Sequence, residues 1–237
     1  DVLGSRGLGD VYKRQVVDHY LFVGNPGTGK TTVARIMGNI FYSLGVLPSN
    51  RLLEVTRKDL VEGYVGQTAT KTARVVKRAV GGVFFIDEAY SLMGDNFGQE
   101  ATNTILPMLL DYKGKMVCIA AGYPREIRQW IDTNSGLESR FTKVIHFEDY
   151  NPDELAQIFR MKAKKDKLTL TPEAENAMRV YFTDLYNRRE RNFANAREVN
   201  NYFDRVKKNQ SSRLRHEMER PDFDPASYSI LLPEDMG

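Results

Sequence analysis

The chain has 237 residues, of which 41% are hydrophobic and 27% are charged. This composition is typical of a globular protein with one sizeable core and room for a small second domain. The 34 basic and 31 acidic residues give a net charge of +3, so charge gives no reason to expect nucleic acid or an anionic membrane as a partner. No apolar run approaches the ~20 residues that a membrane-spanning helix needs, so no membrane span is expected.

The cysteine content and the start of the chain both bear on its compartment. The single cysteine, Cys118, lies within an apolar run and cannot form an internal disulfide. We therefore predict a buried thiol and a reducing, cytoplasmic compartment. Residues 1–15 contain glycines but neither a periodic apolar face nor a secretory signal, and we interpret them as a disordered or non-native leader.

A glycine-rich loop, Gly24–Thr31, organises the chain. The apolar run Tyr20–Val23 before it predicts a buried strand, and Thr32–Met37 after it has helical periodicity. This order is the context of a phosphate-binding loop, in which backbone N–H groups and a helix N-terminus surround the oxygens of a triphosphate. The candidate nucleotide-binding residues are consecutive: Asn25, Pro26, Gly27, Thr28, Gly29, Lys30, Thr31 and Thr32. Lys30 would act in catalysis by reaching the β- and γ-phosphates, and the Thr31 hydroxyl would hold Mg²⁺.

An acidic pair follows a second buried strand. Four consecutive apolar residues, Val83–Ile86, predict a strand covered on both faces, as in a parallel sheet. Asp87 and Glu88 come directly after it, and ligands of open α/β sheets bind beyond the carboxyl ends of the strands. Asp87 is therefore expected to hold Mg²⁺, and Glu88 to polarise the attacking water as a general base. Together with the loop, this pair predicts hydrolysis of a nucleoside triphosphate with Mg²⁺, and the resemblance given below implies that the nucleotide is ATP.

Strands and helices alternate through the first part of the chain. This alternation predicts an α/β fold over residues 16–149, a P-loop NTPase domain whose parallel sheet carries helices on both faces. Within it, Pro107 is expected to kink or interrupt the helix at residues 99–112. Residues 134–141 are expected to form a loop leading into the strand Lys143–Phe147.

The pattern changes at Tyr150. Asn151-Pro152 and Thr171-Pro172 each predict a helix start with a side-chain cap and a proline in the first turn. A third helix is predicted from Asn195, and no strand signal lies among the three. Residues 150–220 are therefore expected to form a small all-helical domain, and residues 221–237 an extended C-terminal tail that packs back through its apolar residues.

Several stretches together resemble the AAA+ ATPases. More closely, they resemble the clade of the red-type Rubisco activase, stage V sporulation protein K and the AAA+ ATPase of type VII secretion. The stretches are Gly24–Arg35, Tyr64–Ala69, Gly81–Leu92, Ser139–Phe141 and Phe193–Arg197. The resemblance covers about residues 20–215 and implies that the second domain is a lid. It also implies a ring of copies, usually a hexamer, with ATP between neighbours.

The resemblance also implies roles for residues outside the two motifs. Arg140 matches the arginine finger that reaches the neighbour's γ-phosphate, and Arg197 matches the second sensor, which reaches ATP in the same subunit. Tyr64-Val65-Gly66 matches the aromatic pore loop that grips an extended peptide. On sequence alone, a surface ion pair for Arg140, a solvent-facing Arg197 and a locally packed Tyr64 stay open as alternatives.

The leading functional hypothesis is an ATP-hydrolysing motor that remodels or threads a protein partner through a ring pore. One alternative is a loader or helicase that acts on nucleic acid, which the near-neutral charge and Tyr64 disfavour. Another is a nucleotide-gated assembly scaffold with little turnover. Tyr123 stands where the wider superfamily has a small polar first sensor, so its role stays open, as does the identity of the client protein.

Overall fold

The computed structural model describes residues 18–64, 66–219 and 223–237. The leader at residues 1–15 and Val65 of the predicted pore loop lie outside these residues. The chain divides into two compact units. The first contains the described residues up to Gly24 together with Gly29–Phe147, and the second contains Asn25–Thr28 and Glu148–Gly237.

The first unit is built on a parallel sheet. Its strands lie in the order β2-β3-β4-β1-β5, and every pairing is parallel, which confirms the predicted sheet. The elements in chain order are β1 Tyr20–Gly24, α1 Lys30–Ser43, β2 Leu52–Val55, α2 Arg57–Leu60, α3 Gln67–Ala79, β3 Val83–Ile86, a 3₁₀ turn Ala89–Leu92, α4 Asn96–Asp111, β4 Val117–Gly122, α5 Pro124–Asp132, α6 Ser135–Arg140 and β5 Lys143–Phe147.

Alternating side chains of the strands enter two separate cores. In β3, Phe84 and Ile86 join the core with α3, α4 and α5, whereas Val83 and Phe85 join the core with α1. All four side chains have no exposed surface. Successive residues of a strand point to opposite faces, so an uninterrupted apolar run requires helices on both sides, as predicted.

Two local expectations differ from the structure: α4 is not interrupted at Pro107, and residues 134–141 are not all loop. Pro107 lies inside a continuous α4. It removes the N–H that the carbonyl of Asn103 would accept, but both residues are exposed, so water can satisfy that carbonyl. The predicted loop before β5 contains the helix α6, because the Asn134 side chain accepts a hydrogen bond from the Gly136 N–H at 2.8 Å and caps the helix start.

The second unit is helical, as predicted, with one addition. The elements are α7 Pro152–Lys165, β6 Thr169–Leu170, α8 Pro172–Asn187, α9 Ala196–Glu217, a 3₁₀ turn Pro225–Ser229, β7 Ile230–Leu231 and a 3₁₀ turn Pro233–Met236. β6 and β7 form a two-residue parallel ladder, too short to leave a periodic signal in the sequence. The C-terminal residues form turns rather than an extended tail, and Leu231 packs with Phe159, Phe182 and Tyr202 in the core of this unit.

The tip of the glycine-rich loop, Asn25–Thr28, belongs to the second unit. The Ala196 N–H donates to the Gly27 carbonyl at 3.2 Å, and the Tyr150 hydroxyl donates to the Thr28 carbonyl at 3.1 Å. Gly27 has φ +71°, and a Cβ built on it would lie 2.3 Å from the Ala194 carbonyl oxygen. Only glycine therefore fits this position without displacing the start of α9.

His19, which precedes β1, is buried in the first unit. Its Nδ1 accepts a hydrogen bond from the Cys118 N–H at 3.1 Å, so that nitrogen carries no proton. Burial lowers the pKa of His19 below its ordinary value of 6.5. Burial also raises the pKa of the Cys118 thiol, which is fully covered, as predicted.

We predict that the first unit loses stability as the pH falls below about 6.5, because the unfolded chain binds a proton at His19 more readily than the folded one. The free energy of unfolding in urea, measured at several pH values, should decline less steeply for His19→Asn, whose side chain keeps an acceptor but does not titrate. His146→Asn, at an exposed histidine of β5, is the control and should keep the wild-type slope. Equal slopes for wild type and His19→Asn would contradict the assignment.

We also predict that Gly27→Ala destabilises the protein more than Gly45→Ala. Both glycines have positive φ, at +71° and +67°, but a Cβ at Gly45 would meet nothing within 4 Å. The backbone cost of about 1–2 kcal/mol is therefore common to both changes, and the close contact with Ala194 adds about 1–3 kcal/mol for Gly27 alone. Urea unfolding measures the free energy of unfolding of each variant. Equal losses of stability would show that the loop tip moves to accommodate the added Cβ without further cost.

Candidate functional site

The two sequence motifs meet at one edge of the sheet. Lys30 begins α1 after β1, and Asp87 follows β3. β1 and β3 both pair with β4, so they lie two strand spacings apart, about 10 Å. Because all the strands are parallel, both residues stand at the carboxyl-terminal edge, where such sheets bind ligands. The structure therefore brings Lys30 and Asp87 together at this edge.

The end of the loop in the first unit is arranged for an anion. Gly29, with φ 90°, is the N-cap of the 14-residue helix α1, makes no side-chain cap and is followed by no acidic residue in the first turn. Because Gly29 has no side chain to cap them, the first N–H groups of α1 can donate hydrogen bonds to a phosphate. The Lys30 Nζ donates to the Gly24 carbonyl at 2.8 Å, which holds the ammonium group against the start of the loop. This donor set fits a triphosphate.

A second acidic side chain lies beside the predicted magnesium ligands. The Thr31 hydroxyl is 3.5 Å from Glu54 Oε1 of β2, and the Asp87 N–H extends the sheet by donating to Val55 O at 2.8 Å. The described residues contain no group of three or more His, Cys, Asp or Glu side chains that could hold a metal. Mg²⁺ binds through one or two protein oxygens together with phosphate and water, and Thr31 and Asp87 offer oxygen ligands of this kind. We did not predict Glu54, although an acidic residue inside a short apolar strand is a signal.

Glu88 occupies a strained backbone conformation. Its φ of 50° and ψ of 45° lie in the left-handed region, which costs a non-glycine residue about 1–2 kcal/mol. Such strain persists where the surrounding structure imposes it, and it concentrates at active sites. Glu88 is exposed and Asp87 is partly buried. The Asp87 carboxylate accepts a hydrogen bond from the Glu88 N–H at 3.0 Å, which fixes the turn between the two side chains.

Tyr90 lies near Glu88 and packs against Tyr123, and only Tyr123 was considered from the sequence. The rings of Tyr90 and Tyr123 lie 5.8 Å apart, and a Cβ on Gly122 would be 2.7 Å from the Tyr90 ring. Burial, and after it the charge of Glu88, raises the pKa of Tyr90 to about 12. Tyr90 is thus neutral at pH 7, as an ordinary tyrosine is, and its ionisation is shifted to higher pH. The role of Tyr123 stays open.

Arg140 stands at the opposite edge of the sheet. It ends α6 just before β5, whose first residue, Lys143, pairs with Tyr20 at the start of β1. The length of a five-residue strand, about 16 Å, separates this amino-terminal edge from the edge that carries Lys30. Arg140 Nε is buried without a hydrogen-bond partner among the described residues. The structure thus does not place Arg140 with Lys30 and Asp87.

Three other predicted site residues are exposed. Tyr64, between α2 and α3, has 73% of its surface exposed, which argues against the local packing left open above. Gly66 follows with φ 81° as the N-cap of α3, in open space. In the second unit, Arg197 lies exposed in the first turn of α9. The roles of Tyr64, Gly66 and Arg197 stay predictions.

The sequence is similar to several characterised proteins. It is 41% identical over 222 residues to protein CbbX of Cereibacter sphaeroides, a match that covers 92% of this chain and 71% of that protein. It is 43% identical over 201 residues to the chloroplastic ribulose bisphosphate carboxylase/oxygenase activase of Cyanidioschyzon merolae, covering 83% and 68%. It is 46% identical over 162 residues to the ESX-1 secretion system protein EccA1 of Mycobacterium tuberculosis, covering 66% of this chain but only 28% of that protein.

Solved structures support the fold. A variant of RuvB from Thermotoga maritima matches 98% of this chain and 64% of its own with a TM-score of 0.65. The AAA domain of FIGL-1 matches 92% of this chain and 68% of its own with a TM-score of 0.64. Both are 17% identical in sequence, so the likeness concerns architecture alone. Among the described residues, no helix has the length and apolar character needed to cross a bilayer.

Family profiles match both parts of the chain. The profile of the ATPase family associated with various cellular activities (AAA) matches residues 20–149, and that of the AAA lid domain matches residues 151–237. These matches agree with the nucleotide-binding edge of the sheet and with the similarity to CbbX. The chain belongs to the AAA family of ATPases, in the clade of the red-type Rubisco activases and the type VII secretion ATPases.

Proposed function

We propose that this protein uses ATP hydrolysis to remodel a protein partner drawn into the pore of a ring of its own copies, a hexamer by analogy with its family. The observation that carries the proposal is the separation of Arg140 from Lys30 and Asp87 by the length of the sheet. One copy therefore carries both parts of a hydrolysis site, but at opposite edges, and a ring of identical copies brings them together.

The carboxyl-terminal edge of the sheet, which carries Lys30, supplies the residues that act on the nucleotide bound by their own subunit. The N–H groups of the loop, other than at Pro26, and the first turn of α1 would hold the phosphates, and Lys30 would contact the β- and γ-oxygens. Thr31 and Asp87 would hold Mg²⁺, which neutralises charge on the phosphates when bound. Glu88 would take a proton from the attacking water.

Arg140 supplies the part that comes from the neighbour. A guanidinium group stays charged at any physiological pH and meets phosphate oxygens through a planar pair of N–H donors. At the end of α6, on the amino-terminal edge of the sheet, it can face a nucleotide bound by another copy. Its buried Nε has no partner among the described residues, which is consistent with a group that completes its contacts in the assembly.

A protein partner is favoured by the exposed aromatic loop and by the relatives. Tyr64 exposes a large ring between two glycines, Gly63 and Gly66, and such a ring can grip any extended peptide by shape. One relative is named as the activase of an enzyme and another as a secretion system protein. The net charge of +3 gives no basis for a nucleic-acid track.

We predict that Arg140→Ala and Lys30→Ala are each almost inactive alone, since an arginine finger is worth about 10³–10⁵ in rate and Lys30 binds the nucleotide. Mixed in equal amounts, the two variants should regain activity. The Arg140→Ala copies provide intact loops and the Lys30→Ala copies provide intact fingers, so up to about a quarter of the interfaces are complete. ATPase assays on co-assembled variants measure this recovery. A mixture as inactive as its components would contradict a finger that acts on the neighbour.

A second prediction concerns Tyr64. Tyr64→Ala should keep basal ATP hydrolysis, because Tyr64 lies outside the predicted nucleotide site, and should lose the stimulation of ATPase activity by an unfolded protein such as casein. Tyr64→Phe should retain the stimulation, since the ring provides the grip.

Tyr42→Ala is the matched control, because Tyr42 exposes 51% of its surface on α1. It should be stimulated like the wild type. Wild-type stimulation by single-stranded or duplex DNA, with none by protein, would instead assign the motor to nucleic acid.

A further inference from the structure

Asn195, the N-cap of α9, has a backbone conformation that normally requires glycine. Its φ is 50° and its ψ is −120°, and its side chain makes no hydrogen bond to the helix that it precedes. The residue is completely buried. A buried asparagine held in a strained conformation, without the usual reason for an asparagine at a helix start, calls for another role for its side chain.

The side-chain amide of Asn195 connects three separate segments of the second unit. Its Nδ2 donates to the carboxylate of Asp149 at 2.8 Å and lies 3.3 Å from the carbonyl of Pro26, in the tip of the phosphate-binding loop. Its oxygen accepts a hydrogen bond from the Tyr150 N–H at 2.8 Å. Nδ2 also lies 3.0 Å from the Phe193 carbonyl. The hydrogen-bonding capacity of the amide is thus directed at the loop tip and at the segment before α7.

Asp149 completes the cluster. The same carboxylate oxygen, Oδ1, accepts from Asn195 Nδ2 and from Asn25 Nδ2, the latter at 2.9 Å. One oxygen therefore holds both the first residue of the loop tip and the residue at the start of α9. Two further bonds, from Ala196 N–H to Gly27 O and from the Tyr150 hydroxyl to Thr28 O, run between the same segments.

We propose that Asn195 is a positioning residue for the nucleotide. With Asp149, it sets the shape of the tip Asn25–Thr28 and ties that tip to the turn of helix that carries Arg197. The inference rests on the proposed function in one respect, that the loop holds the α- and β-phosphates. ATP and ADP share these phosphates, so the loss of Asn195 should weaken both nucleotides alike and raise KM more than it lowers kcat.

Asn195→Gly tests this role without the usual loss of fold. Glycine adopts φ 50° and ψ −120° freely, so the change relieves strain while it deletes every side-chain bond. We expect the affinity for ADP, measured by calorimetry, to fall about tenfold, which corresponds to one hydrogen bond involving a charged group. Asn192→Gly, at an exposed asparagine in the turn before α9, is the matched control and should bind ADP like the wild type.

Hydrogen exchange without nucleotide provides a readout that does not depend on activity. The amide of Tyr150 loses its acceptor in Asn195→Gly, and the amide of Ala196, which donates to Gly27, should loosen with the tip. Both amides should exchange faster than in Asn192→Gly, while amides of the α8 core keep their wild-type protection.

A double-mutant cycle then tests the contact with Asp149 directly. Asn195→Asp places a second carboxylate about 3 Å from that of Asp149, so it should weaken ADP binding more than Asn195→Gly. Adding Asp149→Asn to this variant puts an amide at position 149 that can donate to the carboxylate at position 195. The hydrogen bond is then restored with its direction reversed, and part of the affinity for ADP should recover. A merely structural role for Asn195 would lower the melting temperature without this recovery of ADP binding.

The outcomes separate this inference from the proposed function. Unchanged ADP affinity together with unchanged exchange at Tyr150 and Ala196 in Asn195→Gly would overturn it. A lower kcat together with faster hydrogen exchange of the α8 amides would also overturn it, because these two changes would show that the lid unfolds. If the wild type binds no nucleotide, the proposed function fails, and so does the assignment of Asn195 to nucleotide binding, whereas the exchange data still decide whether Asn195 shapes the tip.

Discussion

The common direction of the five strands is the constraint on which the rest of this structure depends. Because β1 and β3 run parallel on either side of β4, the residues that follow them, Lys30 and Asp87, reach one edge of the sheet. Because β5 runs the same way, Arg140, which precedes it, is confined to the other edge. A parallel sheet thus separates the two groups within one chain, and the proposed ring of copies would turn this separation into a shared site.

The phosphate-binding loop is divided between the two structural units. Its ends, Gly24 and Gly29, belong with the sheet, while its tip belongs with the helical unit through hydrogen bonds to Asp149, Tyr150 and Ala196. The loop that would bind phosphate is therefore not an independent turn. Its tip shares one hydrogen-bonded cluster with the start of α9, the turn that carries Arg197.

Backbone strain occurs once in each unit, at Glu88 in the first and at Asn195 in the second. Glu88 and Asn195 are two of the three described non-glycine residues with positive φ, and one is the proposed general base while the other joins the loop tip to α9. Each adopts a conformation that a glycine would adopt without cost, and each carries a side chain that a glycine would lack. Each strained residue is hydrogen-bonded to a residue of the predicted nucleotide site, Glu88 to Asp87 and Asn195 to Pro26 of the loop tip.

The sequence by itself determined the elements whose signals are local. Hydrophobic periodicity and capping act over a few residues, so features that depend on them could be predicted. They are the loop between a buried strand and a helix, the apolar run before Asp87, and the caps at Asn151 and Thr171. Only the tertiary structure decided what depends on packing between distant segments. Asn195 and Asp149 are 46 residues apart in the sequence, and no sequence pattern near either residue indicates that they share a hydrogen bond. Likewise, Glu54 meets Thr31, Tyr90 covers Gly122, and two dipeptides pair as β6 and β7, because the folded sheet and helices bring those segments together.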